Sequence, residues 1–143
     1  DLEEQINTAN ADFAEKLAQT LSELPKPDDG GLASQGLILD FAQQIASMEN
    51  NIWHLPEKDR VRRRIEKSTK SMRDTFKSLG YDMPKLLGTE ILDGQALDIR
   101  NLNEDPSIEK GKRVVTLVAK PQVLFNGKTI QTPIIDIAEN TED

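Results

Sequence analysis

The residues of this chain that could carry chemistry are few and form no catalytic pattern. His54 is the only histidine among 143 residues, and cysteine is absent, so disulfides, thiolate metal sites and a cysteine nucleophile are excluded. A single histidine without cysteine is a poor basis for a zinc site or a catalytic triad. The acidic pairs Asp28-Asp29 and Glu104-Asp105 lie in predicted turns, where solvation accounts for them. The sequence therefore predicts neither an enzyme nor a bound metal or other cofactor.

One segment is rich in cations: RVRRRIEKSTK, residues 60–70. Residues 56–79 carry nine basic and four acidic side chains, whereas residues 1–55 carry two basic and ten acidic. The cationic run is interpreted either as a solvated helix face that also pairs with the acidic helices before it, or as a contact surface for an acidic partner. A net charge of −7 and the lack of aromatic residues within the run argue against nucleic acid as a partner.

Three amphipathic helices are predicted to position these residues. Their ranges are about 1–24, 34–54 and 57–79. The first has an apolar stripe at steps of three and four: Leu2, Ile6, Ala9, Phe13, Leu17, Leu21 and Leu24. The sequence PKPDDGG at 25–31 predicts a loop. Pro56 is expected in the first turn of the third helix, and Gly80 is expected to end that helix.

From residue 81 the pattern changes to short β-branched segments separated by turn residues. The predicted strands are 89–92, 96–102, 113–119, 122–125, 128–131 and 133–138. Asn126-Gly127 is the strongest local signal, because a type I′ hairpin turn needs positive φ at both positions. This hairpin is interpreted as the core of a small sheet on one face and as a docking surface on the other.

The predicted fold is α+β, with N-terminal helices at 1–80 and a small, mostly antiparallel β-wing domain at 81–143. Narrow helical stripes and an aromatic content of 4% leave little bulk for a monomeric core, so the helices are predicted to form a dimeric bundle, a homodimer. The predicted dimer-interface residues are Phe13, Leu17, Leu21, Ile38, Phe41, Ile45, Ile65, Met72 and Phe76.

No apolar run reaches the length of about 20 residues that spans a bilayer. No signal-peptide core is visible either, and a cytoplasmic location is expected. The chain begins with Asp1 rather than Met, which favours a fragment or a processed form.

Two segments resemble the GrpE family, the nucleotide exchange factors of DnaK-type heat-shock chaperones. NGKTIQTPIIDIA, residues 126–138, is similar to the family's final hairpin. RIEKSTKSMRDTFKSLGYDM, residues 64–83, is similar to its last bundle helix and the exit into its β domain. The order of helices and wing also matches, and the likeness covers most of the chain at low identity. The sequence departs from the family at Gln122-Val123, where a Gly-Tyr step is common, and at Gln131, where an arginine is usual.

The resemblance implies a co-chaperone whose mechanism involves no covalent chemistry. One wing of the dimer would dock on the ATPase domain of a DnaK-type chaperone and promote ADP release. By position, the implied partner-binding residues are Phe125, Asn126, Gly127, Lys128 and Ile137 on the wing, and Arg60, Arg63 and Arg64 on the bundle. The alternatives that stay open are a dimeric GrpE-fold scaffold or adaptor that binds a different protein partner, and a coiled-coil-like assembly module.

Overall fold

A computed structural model describes residues 2–23 and 32–141. The helices are α1 (Leu2–Glu23), α2 (Leu32–Ile52) and α3 (Arg60–Ser78). The strands are β1 (Tyr81–Asp82), β2 (Asp98–Glu104), β3 (Arg113–Lys120), β4 (Val123–Phe125), β5 (Lys128–Gln131) and β6 (Ile134–Glu139). The predicted α+β fold, with helices followed by strands, is confirmed. The predicted loop at 25–31, which contains Asp28 and Asp29, lies outside the described residues. No helix in the described ranges is long and apolar enough to cross a membrane.

The third helix begins three residues later than predicted. Asp59 is its N-cap, and its Oδ1 accepts hydrogen bonds from the backbone N–H groups of Val61 at 2.8 Å and Arg62 at 3.2 Å. Pro56 lies instead in a preceding turn, which the Asp59 N–H closes by donating to Pro56 O at 2.9 Å. The aspartate side chain satisfies two N–H groups that the helix leaves free, so the helix starts after it.

The strands form two three-stranded sheets, in the orders β1-β4-β5 and β2-β6-β3. All neighbouring strands are antiparallel except β2 and β6, which are parallel. The segment predicted as a strand at 89–92 makes only one bridge, from Glu90 to Val114. The two-residue strand β1 was not predicted.

The predicted type I′ turn is confirmed. The φ angle is 50° at Asn126 and 83° at Gly127, and Phe125 pairs directly with Lys128 across the turn. The hairpin is shorter than its sequence pattern indicates, because the chain leaves this sheet after Gln131. Strand β6 then becomes the central strand of the other sheet.

The helices close a core within a single chain, and this corrects the predicted dimer interface. One apolar cluster runs continuously from α1 to β6. Six of the nine predicted interface residues are buried in it: Leu21, Ile38, Ile45, Ile65, Met72 and Phe76. These side chains have no free surface left for a contact between chains. The prediction underestimated the core because it did not foresee that the β2-β6-β3 sheet would pack on the helices.

Helix α1 packs on α3 through small residues rather than through its predicted apolar stripe. Ala11, Ala14 and Ala18 are buried there, and small side chains let two helices approach closely. The first part of the predicted stripe faces solvent instead, with exposed fractions of 73% at Leu2, 52% at Ile6 and 54% at Phe13, whereas Leu21 at its other end is buried. Of the predicted interface residues, Phe13 is therefore exposed, while Leu17 and Phe41 are half-buried.

Helix α2 lies against the outer edge of β3. Asn50 Nδ2 donates to Val118 O at 2.8 Å, and the Val118 N–H donates to Asn50 Oδ1 at 3.0 Å. Gln43 Nε2 donates to Ala119 O at 3.0 Å. The helical region and the β region are thus joined by hydrogen bonds as well as by the core. Whether the two regions fold separately stays a prediction.

Candidate protein-binding surfaces

The turn of the hairpin is held against the end of α3. The rings of Tyr81 and Phe125 have centroids 4.7 Å apart, and the Asn126 N–H donates to Gly80 O at 2.9 Å. Gly80 has a φ of 90°, and a Cβ at this position would lie 3.0 Å from Asn126 Oδ1. Glycine is therefore required both by the backbone and by the close approach of the turn. The position of the turn is fixed relative to the helix.

The tip of this hairpin, defined as Asn126, Gly127 and Lys128, is open to solvent. Within the described parts of the chain, no acidic side chain pairs with Lys128. Phe125 is half-buried and turns its ring toward Tyr81, so it supports the tip more than it adds surface to it. Three of the predicted wing residues therefore lie together on an accessible surface.

Ile137 does not belong to that surface, and the prediction that it contacts a partner is wrong. Its side chain is only 1% exposed. It lies on β6, the strand between β2 and β3, and is part of the apolar core. The pattern of residues 133–138 identified a strand correctly, but it did not reveal that the strand would be central and buried on both faces.

The three predicted arginines of the bundle have different environments. Arg60 and Arg63 are exposed. Arg64 instead bridges to α1, donating from Nε to Glu15 Oε1 at 2.9 Å and from Nη2 to Asp12 Oδ1 at 2.5 Å. The hydrogen bond from Arg64 lowers the pKa of Glu15, and the same contacts raise the pKa of Arg64. The prediction that Arg64 contacts a partner is therefore corrected, and the alternative of pairing with an acidic helix is confirmed for this residue.

The solvent side of α3 carries a line of cations, which we call the cationic face. It consists of Arg60, Arg63, Lys67, Lys70 and Lys77, all exposed. Steps of three, four and seven keep these residues on one side of the helix, over a length of about 25 Å at 1.5 Å per residue. Asp74 accepts a hydrogen bond from Lys70 at 3.2 Å. Because the Asn126 N–H donates to Gly80 O, the tip lies near the C-terminal end of α3, where Lys77 is the last residue of the cationic face.

Arg62 and His54 come from the same part of the sequence but add nothing to this surface. Arg62 is buried, donates to Leu55 O at 2.5 Å and to Glu66 at 2.6 Å, and lies 5.0 Å from the centre of the Trp53 ring. It therefore holds the connection between α2 and α3. His54 is exposed. The described residues contain no group of three side chains that could hold a metal ion.

Sequence reasoning overlooked two surfaces. One is the stripe of Leu2, Ile6 and Phe13 on α1, which was identified as apolar but expected to be covered. The other is strand β2, whose seven residues are all exposed. The sequence of β2, DIRNLNE, holds a usable signal, because it lacks the continuous apolar run of a strand that is buried on both faces.

Comparisons with known proteins assign no family to this chain. No family model matches it, and no curated protein matches it.

Proposed function

We propose that this protein is a GrpE-like nucleotide exchange factor, a co-chaperone that promotes ADP release by docking on the ATPase domain of a DnaK-type chaperone. The observation that supports this best is the exposed tip, Asn126 to Lys128, fixed to the end of α3 through Gly80 and Phe125. Such a factor acts by binding the open form of the ATPase domain more tightly than the closed form. A tip that is already held in one position supports this role, because less freedom is lost on binding.

The required difference in affinity is larger than one contact supplies. Moving a two-state equilibrium from about 1:99 to 99:1 takes about 5.5 kcal/mol of differential binding. A charge pair at an interface contributes on the order of 1.5 kcal/mol or more when water is excluded. We therefore propose that Arg60 and Arg63, on the cationic face, dock together with Lys128 on an acidic surface of the chaperone.

We also propose that the protein works as a homodimer formed through the helices. The support is the solvent-facing stripe of α1, with Ile6 and Phe13 about half exposed, together with Leu37 on α2, which is 50% exposed. A groove between α1 and α2 is lined by Phe13 and Met48. Light scattering tests this directly, since a mass of 16.0 kDa at high concentration would mean a monomer.

A scaffold or adaptor with a GrpE-like fold that binds a different protein partner is the second candidate, and two residues favour it. Gln131 stands where the family has an arginine, and its Nε2 donates to Pro121 O at 2.7 Å, so it is used inside the sheet. Ile137, at the position of a second family contact, is buried. Both observations leave fewer residues for recognition of a chaperone.

Release of a fluorescent ADP from a DnaK-type ATPase domain separates the two candidates. We expect the wild type to accelerate release and Lys128→Glu to slow it by about tenfold or more, because attraction becomes repulsion. The free energy of unfolding of this variant should stay within about 0.5 kcal/mol of that of the wild type, since Lys128 is exposed. Lys120→Glu is the matched control, because it is the same charge reversal at an exposed residue that ends β3 and lies outside the hairpin of β4 and β5.

Binding to the ATPase domain without faster release would support the scaffold and reject the exchange factor. Faster release that Lys128→Glu leaves unchanged would remove the tip from the contact. An equal loss of ADP-release rate in Lys128→Glu and Lys120→Glu would point to a general effect of net charge rather than to docking of the tip.

A further inference from the structure

The β2-β6-β3 sheet has one edge that the chain covers and one that it leaves open. On the covered edge, the Gly88 N–H donates to Val115 O at 2.8 Å, the Val115 N–H donates to Thr89 O at 2.9 Å, and Asn50 holds both backbone groups of Val118. On the open edge lies β2, and in the described ranges its only neighbour in the sheet is β6. The fold therefore protects the outer side of β3 and leaves that of β2 accessible.

The register shows which backbone groups of β2 are free. The Asp105 N–H donates inward to Glu139 O at 2.9 Å, and Glu104 is the residue that pairs with Glu139. Alternate residues of a strand direct their backbone groups to opposite sides. Leu102 and Glu104 thus direct their N–H and C=O groups away from β6, where they form the start of a ladder for an added strand.

Strand β2 also has an uncovered apolar face. Ile99 pairs with Ile135, and Leu102 pairs with Ile137, so these side chains lie on the core face of the sheet. Ile135 and Ile137 are fully buried, whereas Ile99 is 44% and Leu102 is 55% exposed. The apolar face of the sheet therefore continues beyond the part that the helices cover. A strand added beside β2 would cover it with every second side chain.

The charges along β2 determine which occupant fits. Asp98 and Glu104 in the strand and Asp105 just after it are acidic, and the one cation between them, Arg100, is held by Asp136 through two bonds of 3.0 and 2.8 Å. A second copy of this chain would bring the same excess of acid, and like charges on paired strands repel. We infer that β2 docks an extended segment of a partner protein in which lysine or arginine alternates with apolar residues, as a fourth strand of the sheet.

This inference goes beyond the proposed exchange function and uses neither the tip nor the cationic face. The probe is an octapeptide of alternating lysine and valine, blocked at both ends, titrated into the full chain. Amide hydrogen exchange by NMR should show new protection at Leu102 and Glu104, while Asn101 and Asn103 stay as they are because they already bond to β6. An octapeptide with glutamate in place of lysine should bind at least about tenfold more weakly.

A matched pair of variants tests the site from the protein side. Leu102→Lys places a cation on the edge and removes an apolar contact, and should weaken binding of the lysine-valine peptide by about tenfold or more. Leu92→Lys is the control, because Leu92 is also exposed, at 67%, but lies outside the strand. It should leave the affinity within about twofold, since it changes the net charge equally without touching the edge.

Several results would overturn the inference. Absence of binding, equal binding of the two peptides, or protection that appears away from Leu102 and Glu104 would each do so. A doubled mass with these two amides protected in the absence of peptide would show a second copy at the edge instead. If Leu102→Lys does not fold, the inference is still tested on the wild type, by the amide exchange data and by the affinities of the two peptides. Loss of ADP-release activity has no bearing on any of these readouts, so the two proposals fail separately.

Discussion

Replacing Asn50 with alanine tests whether the helices and the sheets unfold as one unit. Asn50 lies on α2 and uses both atoms of its amide to bond the backbone of Val118, at 2.8 and 3.0 Å. The substitution leaves the N–H and the C=O of Val118 without these partners, because β3 has α2 on that side. An unsatisfied polar group that is buried costs about 1–3 kcal/mol. Since the site is partly buried, we expect a loss of about 2–3 kcal/mol for the two groups together.

Alanine is also a better helix former than asparagine, by roughly 0.6 kcal/mol, and this gain hides part of the loss. Asn51→Ala is the matched control, because Asn51 is the next residue on the same helix and is exposed. Both variants gain the same helix propensity, so their difference isolates the bonds to Val118. Urea unfolding followed by circular dichroism and by the fluorescence of Trp53, the only tryptophan, measures that difference.

We expect Asn50→Ala to be less stable than Asn51→Ala by about 2–3 kcal/mol, with coincident transitions by the two probes. A difference under about 0.5 kcal/mol would mean that water replaces the two bonds at little cost, which refutes the reasoning. Transitions that separate would mean that the helices and the sheets unfold independently. That result would support the modules predicted from the change of pattern near residue 80, and a chain ending at Leu79 should then stay helical.

Three further substitutions probe single contacts, each by urea unfolding. Tyr81→Phe should be neutral or stabilise by up to about 1 kcal/mol, because the buried Tyr81 hydroxyl has no hydrogen-bond partner in the described residues; a clear loss of stability would contradict this. Arg100→Gln should destabilise the fold at neutral pH, because Asp136 loses the two hydrogen bonds from the guanidinium group. The hydrogen bond from Arg100 lowers the pKa of Asp136 below 3.8, so this stabilisation is present above that pH and is lost as the pH falls through the lowered pKa. The difference in stability from the wild type should therefore narrow as the pH falls through the lowered pKa of Asp136, and a difference that stays constant in acid would exclude the ion pair as its cause. Gly88→Ala should cost about 2 kcal/mol or more, because φ is 80° and the new Cβ would lie 2.5 Å from the Trp53 ring; unchanged Trp53 fluorescence with unchanged stability would argue against this contact.

Features with a local cause were predictable from the sequence. Asn126-Gly127 specified its turn because few residues tolerate positive φ, and these two are the usual pair in a type I′ hairpin. Gly80 was likewise predictable as the end of α3, because this position has a positive φ that glycine adopts without strain. The start of α3 was missed although its signal was local, since Asp59 outweighs Pro56. A side chain that accepts two backbone hydrogen bonds fixes a helix start more firmly than a proline that is merely tolerated there.

Features that depend on a distant partner were not predictable. The stripe of Leu2, Ile6 and Phe13 is more hydrophobic than the alanine face of α1, yet the alanine face packs on α3, because fit to the opposing helix decided the contact. The parallel pairing of β2 with β6 and the burial of Ile137 depend on strands that are far apart in sequence. Periodicity identifies that a face exists, whereas the assembled core decides which face it covers.

The cations of α3 are divided between the fold and the surface by their position around the helix. At about 100° per residue, Arg62 and Arg73 lie on one border of the buried face and Arg64 on the other. Arg73 donates hydrogen bonds to Glu49 on α2 at 2.6 and 2.7 Å. Arg64 donates hydrogen bonds to the acidic side chains of α1. Arg60 and Arg63 lie opposite the core and are exposed, although Arg60 lines an open groove together with Glu3 and Glu4 of α1. The sequence alternatives for this run, internal pairing and partner binding, are therefore not exclusive. Border positions are used by the fold, and only the outward positions remain available to an acidic partner.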